Sequence, residues 1–275
     1  MLKTEMRNSR TTHIDRMSTA EMVRVIQDEN INAAMSIELA LGSIEMAIDA
    51  ITERMKKGGR LFYVGCGTSG RLGVLDASEC PPTYGVPCDL VVGIIAGGDG
   101  AIRKAAEGVE DNHDAGYCDI SSYNVTALDS IVGISVAGGA QYVLGAFAKA
   151  REVGALTVSL SSNVDTPIER AADIGIITDT GAEVITGSTR MKAGSAHKMV
   201  LNMISTAVMV RLGHVYENMM INLRPSNVKL RDRMIRILCE ITKLSYNECE
   251  ALLEMNEFNL SLALRSQENE HEKNI

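Results

Sequence analysis

The chain has 275 residues, of which 45% are apolar, no tryptophan, and a formal net charge of −8. This length allows one large domain, or a principal domain with a small appendage, around a substantial core. The negative charge argues against a nucleic-acid-binding protein, which needs a basic face, although local amides and hydroxyls can still bind a small anion.

The sequence predicts neither a membrane segment nor a secretory signal. No run reaches the roughly 18 uninterrupted apolar residues of a membrane helix, and the N-terminus MLKTEMRNSRTTHIDR is too polar for a signal peptide. The six cysteines form no CxxC pair and the five histidines show no HExxH spacing, which favours free thiols over a metal site. We therefore expect a cytoplasmic protein without a metal ion.

The N-terminal part of the chain is predicted to be helical. Ser18 and Glu21 are spaced as in a capping box, which starts a helix. Apolar residues then recur every three or four positions, at Ile37, Leu41, Ile44, Ile48, Ile51 and Met55. This spacing predicts an amphipathic helix used in core or dimer packing, and Gly58-Gly59 should end it.

From residue 60 the pattern changes to short apolar runs, which are typical of buried strands. These runs occupy 60–65, 89–96, 130–136, 155–160 and 174–179, and helical patterns lie between them at 68–79, 100–111 and 140–153. Alternating strands and helices predict right-handed crossovers and a sheet covered on both faces. The predicted fold class is therefore α/β, with a doubly wound, mostly parallel five-stranded sheet.

The last third of the chain is predicted to be helical. A helix from Thr189 to about Arg211 is apolar around most of its circumference, which predicts burial, and we expect it at a subunit interface. Three short helices should follow at 227–242, 246–255 and 260–267, and a second capping box, Ser245 with Glu248, opens the middle one. We expect an N-terminal helical region at 1–50, the sheet domain at 51–214 and a small helical bundle at 215–275.

The loops at the carboxyl ends of the strands form the candidate site, because open α/β sheets bind their ligands there. The first loop reads Gly65-Cys66-Gly67-Thr68-Ser69-Gly70 between a strand and a helix. Its glycines let the backbone approach closely, while the helix start and the hydroxyls of Thr68 and Ser69 supply donors that suit a phosphate. The lysine of a P-loop and the acidic residue of a dinucleotide-binding fold are both missing, and a turn needed only for packing is the alternative.

Three glutamates near this loop are candidate acid–base groups. Glu79 comes one helix later, before Pro81 and Pro82, which should end that helix. The negative end of the helix dipole would then raise the pKa of the Glu79 carboxyl, as a general acid requires. Glu107 and Glu110 are three positions apart and should share one helical face. A solvated helix surface is the alternative interpretation of all three.

Two more loops belong to the same edge of the sheet. The loop after the third strand, Ala137-Gly138-Gly139-Ala140-Gln141, is glycine-rich but has no hydroxyl. The run EVITGSTRMKAG, residues 183–194, opens the long apolar helix. Hydroxyls and two cations at a helix start again suit an anion.

Four ordered blocks resemble the N-acetylmuramic acid 6-phosphate etherase family, whose members have a sugar isomerase (SIS) domain. The blocks are HIDRMST (13–19), YVGCGTSGRLGVLDASECPPTYG (63–85), GIIAGGDGAI with AAEGVED (93–102 and 105–111), and GAEVITGSTRMKAGSAHKMVLNMIST (181–206). The DASECPPT and TGSTRMKAG runs are specific to this family and its regulatory relatives.

The resemblance implies a cytoplasmic homodimer with sites formed between subunits. It implies cleavage of the D-lactyl ether of N-acetylmuramic acid 6-phosphate, by elimination and then addition of water, without a metal or organic cofactor. The products would be N-acetylglucosamine 6-phosphate and D-lactate, a step of peptidoglycan recycling and amino sugar catabolism. The family's functional glutamates fall on Glu79, the expected acid, and Glu110, the expected base. Substrate contacts are expected at Gly65, Gly67, Thr68, Ser69, Ser78, Gly138, Glu183, Ser188, Thr189 and Lys192.

The sequence departs from this family in the loop after the third strand. Where relatives carry serine, glycine, arginine, threonine and proline, this chain has Ala137-Gly138-Gly139-Ala140-Gln141, which contains no hydroxyl. A second difference follows Asn163, where Val164-Asp165 replaces the usual proline and glycine. Each lost phosphate contact would weaken binding by about 1–3 kcal/mol.

Two alternatives to the etherase stay open at this point. A non-catalytic sugar-phosphate-binding regulator resembling glucokinase regulatory protein shares several motifs, although its known form has two SIS domains. An aldose–ketose isomerase would also use a glutamate base but does not account for DASECPPT. The C-terminal helices resemble the ubiquitin-associated-like bundle that ends the etherase family.

Overall fold

Five parallel strands form the central sheet of the computed structural model, which describes residues 2–222, 228–264 and 266. The strands are β1 (Leu61–Gly65), β2 (Val91–Ile95), β3 (Ser130–Ile134), β4 (Leu156–Ser161) and β5 (Ile174–Ile177). Their order is β2-β1-β3-β4-β5, and each neighbouring pair is parallel. The predicted strands and the predicted α/β fold class are confirmed, with strand ends that differ by two residues at most.

The central strands are apolar because helices cover both faces of the sheet. β1, β3 and β4 are buried along their whole length, whereas the edge strands β2 and β5 are partly exposed. One face packs on a cluster that includes Phe62, Ile131, Val143 and Phe147, all at most 1% exposed. Helix crossovers between parallel strands produce this two-sided burial.

Helices account for most of the remaining chain. They are α1 (Thr19–Met35), α2 (Leu41–Met55), α3 (Gly67–Tyr84), α4 (Gly100–Arg103), α5 (His113–Ser122), α6 (Gln141–Val153), α7 (Pro167–Ala171), α8 (Lys192–Arg211), α9 (Val228–Thr242) and α10 (Tyr246–Met255). Both predicted capping boxes, at Ser18 and Ser245, are confirmed. The sequence patterns predicted neither α5 nor α7.

The predicted end of α3 is wrong. The helix continues through Pro81 and Pro82 to Tyr84, so that Glu79 lies inside it. A proline lacks one backbone donor, but the last turn is still closed, because the amide of Gly85 donates to the carbonyl of Pro81 at 2.9 Å. Glu79 therefore does not lie at the negative end of a helix.

The prediction of one helix over 100–111 is confirmed only for Gly100–Arg103, which form α4. α4 ends at Arg103, and Gly108 adopts φ 72°, a left-handed conformation, before a short 3-10 helix over Val109–Asp111. Glu107 and Glu110 therefore do not share a helical face. Two other helices start later than predicted, α2 at Leu41 rather than Ile37, and α8 at Lys192 rather than Thr189.

The stretch Thr19–Met55 is long and apolar enough to cross a membrane by length and composition alone. This finding differs from the prediction that the chain has no membrane segment. This is weak evidence for a span, because the core helix of a soluble protein can have the same composition. Ile44, Ile51 and Met55 are buried here, which confirms core packing for that part of the predicted stripe.

Contacts divide the chain into two compact units. The first comprises Met1–Ser78 and Asp89–Val208 and contains the whole sheet. The second comprises Glu79–Cys88 and Met209–Ile275, with α9, α10 and a two-stranded ribbon of β6 (Val215–Tyr216) and β7 (Met219–Met220). The predicted domain boundaries at 50 and 214 differ from these divisions and stay predictions.

The second unit has its own small core, which includes Met234, Leu238, Cys249, Leu253 and Leu260. The helices predicted at 227–242 and 246–255 are confirmed as α9 and α10, apart from residue 227, which lies outside the described residues. Residues 260–264 are helical as predicted, while 265 and 267 are also outside the described residues.

Candidate active site

A cleft of about 410 Å³ opens at the carboxyl ends of β1, β2 and β3. Its lining comes from residues 66–69, 106–110, 134–137, 140 and 189, all in the first unit. The strand order reverses at this point, since β1 is followed by β2 on one side and by β3 on the other. The cleft therefore lies at the topological switch point, where a ligand is expected in such sheets.

The glycine-rich loop forms the first wall, and its glycines have two different roles. A Cβ added at Gly65 would lie 2.8 Å from the amide nitrogen of Gly70, and one added at Gly70 would lie 2.5 Å from the carbonyl oxygen of Gly65. Because these two positions have no side chain, β1 and α3 can pack closely, as expected of a turn that is needed for packing. Gly67, Thr68 and Ser69 line the cleft at the first turn of α3, whose amides have no partner within the helix. The loop thus offers donors to an anion as well.

The second wall carries the two glutamates Glu107 and Glu110, both exposed. Arg71 of α3 supports this wall, because its guanidinium donates to the carbonyls of Ala101 and Ile102 at 2.7 and 2.8 Å. The negative charge near this wall affects Cys66, which also lines the cleft. Burial raises the pKa of the Cys66 thiol to about 12, and the charges of Glu110 and Asp111 add to this effect.

The third wall is formed by the loop after β3 and is mostly apolar, with Ser135, Val136, Ala137 and Ala140 lining the cleft. Gly138 supports this wall from behind. It has φ 75°, its amide donates to Ser135 O and Oγ at 3.0 and 3.1 Å, and an added Cβ would lie 2.3 Å from Thr166. The structure places Ser135, which sequence reasoning missed, in the cleft. Its position directly after β3, equivalent to that of Cys66 after β1, was the available signal.

Thr189, which lies just before α8, also lines the cleft. Two other predicted contacts from this segment, Glu183 and Lys192, instead bind groups inside the protein. Glu183 accepts hydrogen bonds from the amides of Lys192 and Ala193 at 3.1 and 3.0 Å, and Lys192 forms an ion pair with Glu29. Ser188 is partly buried and is not among the residues that line the cleft.

Glu79 and Ser78 are exposed positions on α3 that do not belong to the lining of the cleft. The hydroxyl of Ser78 donates to the carbonyl of Leu75 at 2.8 Å. Because α3 runs on to Tyr84, Glu79 lies more than one turn before the end of the helix, and the prediction that the negative end of the helix dipole acts on its carboxyl is wrong. Its assignment as the acid stays a prediction that rests on the resemblance.

One turn before Glu79, α3 carries Asp76, a buried polar group that sequence reasoning missed. Asp76 is 5% exposed and accepts hydrogen bonds from Asn202 Nδ2 at 2.6 Å and Ser205 Oγ at 3.2 Å. Burial raises the pKa of this carboxyl, and its hydrogen bonds oppose the shift. These bonds fix α3 against α8.

Five of the predicted site residues thus line one cleft, namely Gly67, Thr68, Ser69, Glu110 and Thr189. Gly65 and Gly138 shape its walls. Glu183 and Lys192 make internal contacts. The arrangement combines amide and hydroxyl donors with two carboxylates, which suits a small phosphorylated substrate and proton transfer.

Comparison with known proteins identifies the fold and the family of this chain. A family profile described as the glucokinase regulatory protein N-terminal SIS domain matches residues 43–151. A phosphoheptose isomerase from Francisella tularensis has the same fold, with a TM-score of 0.53 and 16% identity over 70% of this chain and 98% of that one.

Much higher identity is found with curated etherases. The chain is 51% identical to the N-acetylmuramic acid 6-phosphate etherase of Caldanaerobacter subterraneus subsp. tengcongensis, and 49% identical to that of Clostridium beijerinckii. Each match covers 96% of this chain and 86% of the relative. The chain therefore belongs to the N-acetylmuramic acid 6-phosphate etherase family.

Proposed function

We propose that this protein is a carbon–oxygen lyase that releases D-lactate from N-acetylmuramic acid 6-phosphate and leaves N-acetylglucosamine 6-phosphate. The observation that carries the proposal is the identity of about half of its residues to etherases over 96% of the chain. The cleft supports it, because a carboxylate, Glu110, shares the cavity with a loop that offers amides and hydroxyls to an anion.

The phosphate would bind at the first turn of α3, where Gly67, Thr68 and Ser69 provide amides and hydroxyls. The sugar would then extend towards the wall that carries Glu110. With the sugar in its open-chain form, the aldehyde at carbon 1 acidifies the proton on carbon 2. Glu110, as the base, removes that proton, and the carbonyl oxygen takes up the developing charge.

Elimination breaks the bond between carbon 3 and the lactyl oxygen and forms a double bond between carbons 2 and 3. Glu79 gives its proton to the departing lactate oxygen. Water then adds its hydroxyl to carbon 3, and a proton returns to carbon 2, so that the product regains a saturated aldehyde. The two glutamates must start in opposite protonation states, which requires different environments around them.

We also propose a homodimer in which the acid comes from the second copy. From Thr68 to Glu79, α3 advances by about 16 Å at 1.5 Å per residue. A hexose phosphate held at the first turn and a single glutamate side chain do not bridge that distance along the same helix. The Glu79 of a second copy would remove this difficulty.

We place the enzyme in the cytoplasm. The six cysteines form no disulfide among the described residues, which is the usual state of thiols in a reducing compartment. The substrate of a peptidoglycan-recycling step would also be found there.

The direct test is to incubate the purified protein with N-acetylmuramic acid 6-phosphate and to assay D-lactate. Release of lactate supports the proposal. Binding of the sugar phosphate without release, at high substrate concentration, contradicts it and favours the regulatory alternative.

The roles of the glutamates are tested in deuterated water. The Glu79→Ala variant should exchange the carbon 2 proton without releasing lactate, whereas Glu110→Ala should lose the exchange. Glu107→Ala is the matched control, because Glu107 lines the same cleft. Equal exchange in the Glu79 and Glu110 variants would overturn the assignment of roles.

A further inference from the structure

A buried ionic cluster lies at the start of α8, and the proposed mechanism uses none of its charges. Glu29 of α1 and Lys192 are 2% and 4% exposed. The Lys192 ammonium pairs with Glu29 Oε2 and donates to the carbonyl of Ala182 at 2.8 Å. The other oxygen of Glu29 lies 3.2 Å from the guanidinium of Arg10. The Lys192 ammonium thus has two partners within its own chain.

Glu183, which is 0% exposed, occupies the N-terminus of α8. Its two carboxylate oxygens accept from the amides of Lys192 at 3.1 Å and Ala193 at 3.0 Å. These amides would otherwise have no partner within the helix, and a carboxylate there is favoured by the helix dipole. The helix start is therefore neutralised by the protein itself and is not available to a phosphate.

The first turn of α8 holds two residues of the cleft in place. The amide of Gly194 donates to the carbonyl of Thr189 at 3.0 Å. A Cβ added at Gly194 would lie 3.5 Å from Thr68 Cγ2, so the helix backbone passes close to that side chain. Both Thr68 and Thr189 line the cleft. The first turn of α8, which begins at Lys192, therefore lies next to both residues.

The N-terminal segment fixes the chain that leads into this turn. Lys3 forms an ion pair with Asp179, and the hydroxyl of Thr11 donates to the carbonyl of Val184 at 2.8 Å. With the pair between Glu29 and Lys192, these contacts connect the first 30 residues to the segment that reaches the cleft at Thr189.

We infer that Glu29 and Lys192 are positioning residues, which hold Thr68 and Thr189 in the cleft through the first turn of α8, and that the Lys192 ammonium does not bind the substrate phosphate. The activity readout of this inference rests on the proposed function. Removing one member of a buried pair leaves an unpaired charge, whereas two neutral side chains of similar size are often tolerated. A double-mutant cycle therefore distinguishes a positioning role of the Glu29–Lys192 pair from binding of the phosphate by Lys192.

The experiment measures kcat and KM for lactate release by Glu29→Gln, Lys192→Met and the double variant. Both single variants should lose about 10- to 100-fold in kcat/KM, and the double variant should recover to within about fivefold of the unmodified protein. Glu45→Gln and Lys57→Met, at exposed positions, are the matched controls and should match the unmodified protein.

A phosphate-binding Lys192 gives a different result, which would overturn the inference. KM would then rise equally in Lys192→Met and in the double variant, and Glu29→Gln would keep nearly full activity. Thermal unfolding of each variant identifies loss of folding, and the neutral double variant remains informative if a single variant unfolds.

The failure of the proposed function is a separate outcome. It would appear as absence of lactate release in the unmodified protein. The affinity of each variant of the cycle for N-acetylglucosamine 6-phosphate would then be measured by calorimetry. Recovery of affinity in the double variant supports the inference, and its absence contradicts it.

Discussion

At the scale of single residues, the cleft proposed to bind the substrate phosphate has no lysine or arginine among the described residues that line it. Two glutamates make it locally negative, and a phosphate must depend on amides and hydroxyls. The loop after β3, where the sequence departs from the family, adds only the hydroxyl of Ser135 to this set. The number of hydroxyls is therefore expected to limit affinity.

Adding a hydroxyl at Ala137, which lines the cleft, should strengthen substrate binding. We expect Ala137→Ser to lower KM about fivefold, since one new hydrogen bond contributes about 1 kcal/mol. Steady-state assay of lactate release gives the value. Ala105→Ser, at an exposed position that does not line the cleft, serves as control, and an equal change in both variants would show that the effect is not local.

His197 of α8 predicts a pH dependence of stability. It is 0% exposed, and its Nε2 lies 3.1 Å from the hydroxyl of Ser162. Burial lowers the pKa of this imidazole from 6.5 to about 4, against a hydrogen bond with the backbone of Ser161. Between these two pH values the unfolded chain binds a proton that the folded chain does not, so stability is fully present above pH 6.5 and decreases as the pH falls towards 4.

Urea unfolding at pH 7.5 and pH 5 tests this effect. The free energy of unfolding should fall by about 2 kcal/mol more in the unmodified protein than in His197→Asn. Comparison with the variant removes the contribution of carboxylates and of His214, whose pKa burial also lowers. The same loss in both proteins would mean that His197 does not control it.

At the scale of elements, α5 and α6 pack through two glycines. A Cβ added at Gly116 of α5 would lie 1.8 Å from the carbonyl oxygen of Tyr142, and one added at Gly145 of α6 would lie 1.9 Å from that of His113. Both contacts are with backbone atoms, which cannot move away by rotation of a side chain. The two helices can therefore approach this closely only without side chains at these positions, and α6 in turn opens beside the third wall of the cleft.

Gly145→Ala should therefore destabilise the protein by about 3 kcal/mol or more, because it forces the helices apart. The matched substitution is Gly42→Ala in α2, where an added Cβ meets no atom within 4 Å. It should stabilise by about 0.5–1 kcal/mol through helix propensity. Urea denaturation compares the two, and effects of the same sign would contradict the packing argument.

At the scale of the whole molecule, the proposed homodimer makes each active site depend on two chains. Glu110 and Glu79 would come from different copies, since α3 separates its first turn from Glu79 by about 16 Å. Such a site can be rebuilt from two inactive proteins, because one mixed dimer contains one site with both glutamates intact.

Co-expression of Glu79→Gln and Glu110→Gln chains with different tags tests this arrangement. Each variant alone should be inactive, and random pairing should restore about a quarter of the full activity. Purification through both tags in succession should raise this to about half. Continued inactivity of the doubly tagged dimer would place both glutamates of a site in one chain.

Much of this protein was predictable from sequence because the signals are local. The period of apolar residues determined the five strands and the long helices, and the capping boxes at Ser18 and Ser245 determined where two helices begin. The Gly65–Gly70 loop indicated one wall of the cleft, and the four family blocks indicated the family.

Tertiary structure decided the rest, because burial and close approach depend on residues far apart in the chain. Neither the continuation of α3 beyond Pro82 nor the turn at Gly108 that separates Glu107 from Glu110 follows from a single-residue preference. One of the two cations that the sequence offered to a phosphate, Lys192, is instead paired with Glu29, 163 positions earlier in the chain. A buried charge must find its partner inside the fold, and only the packing of α1 against the start of α8 shows which partner that is.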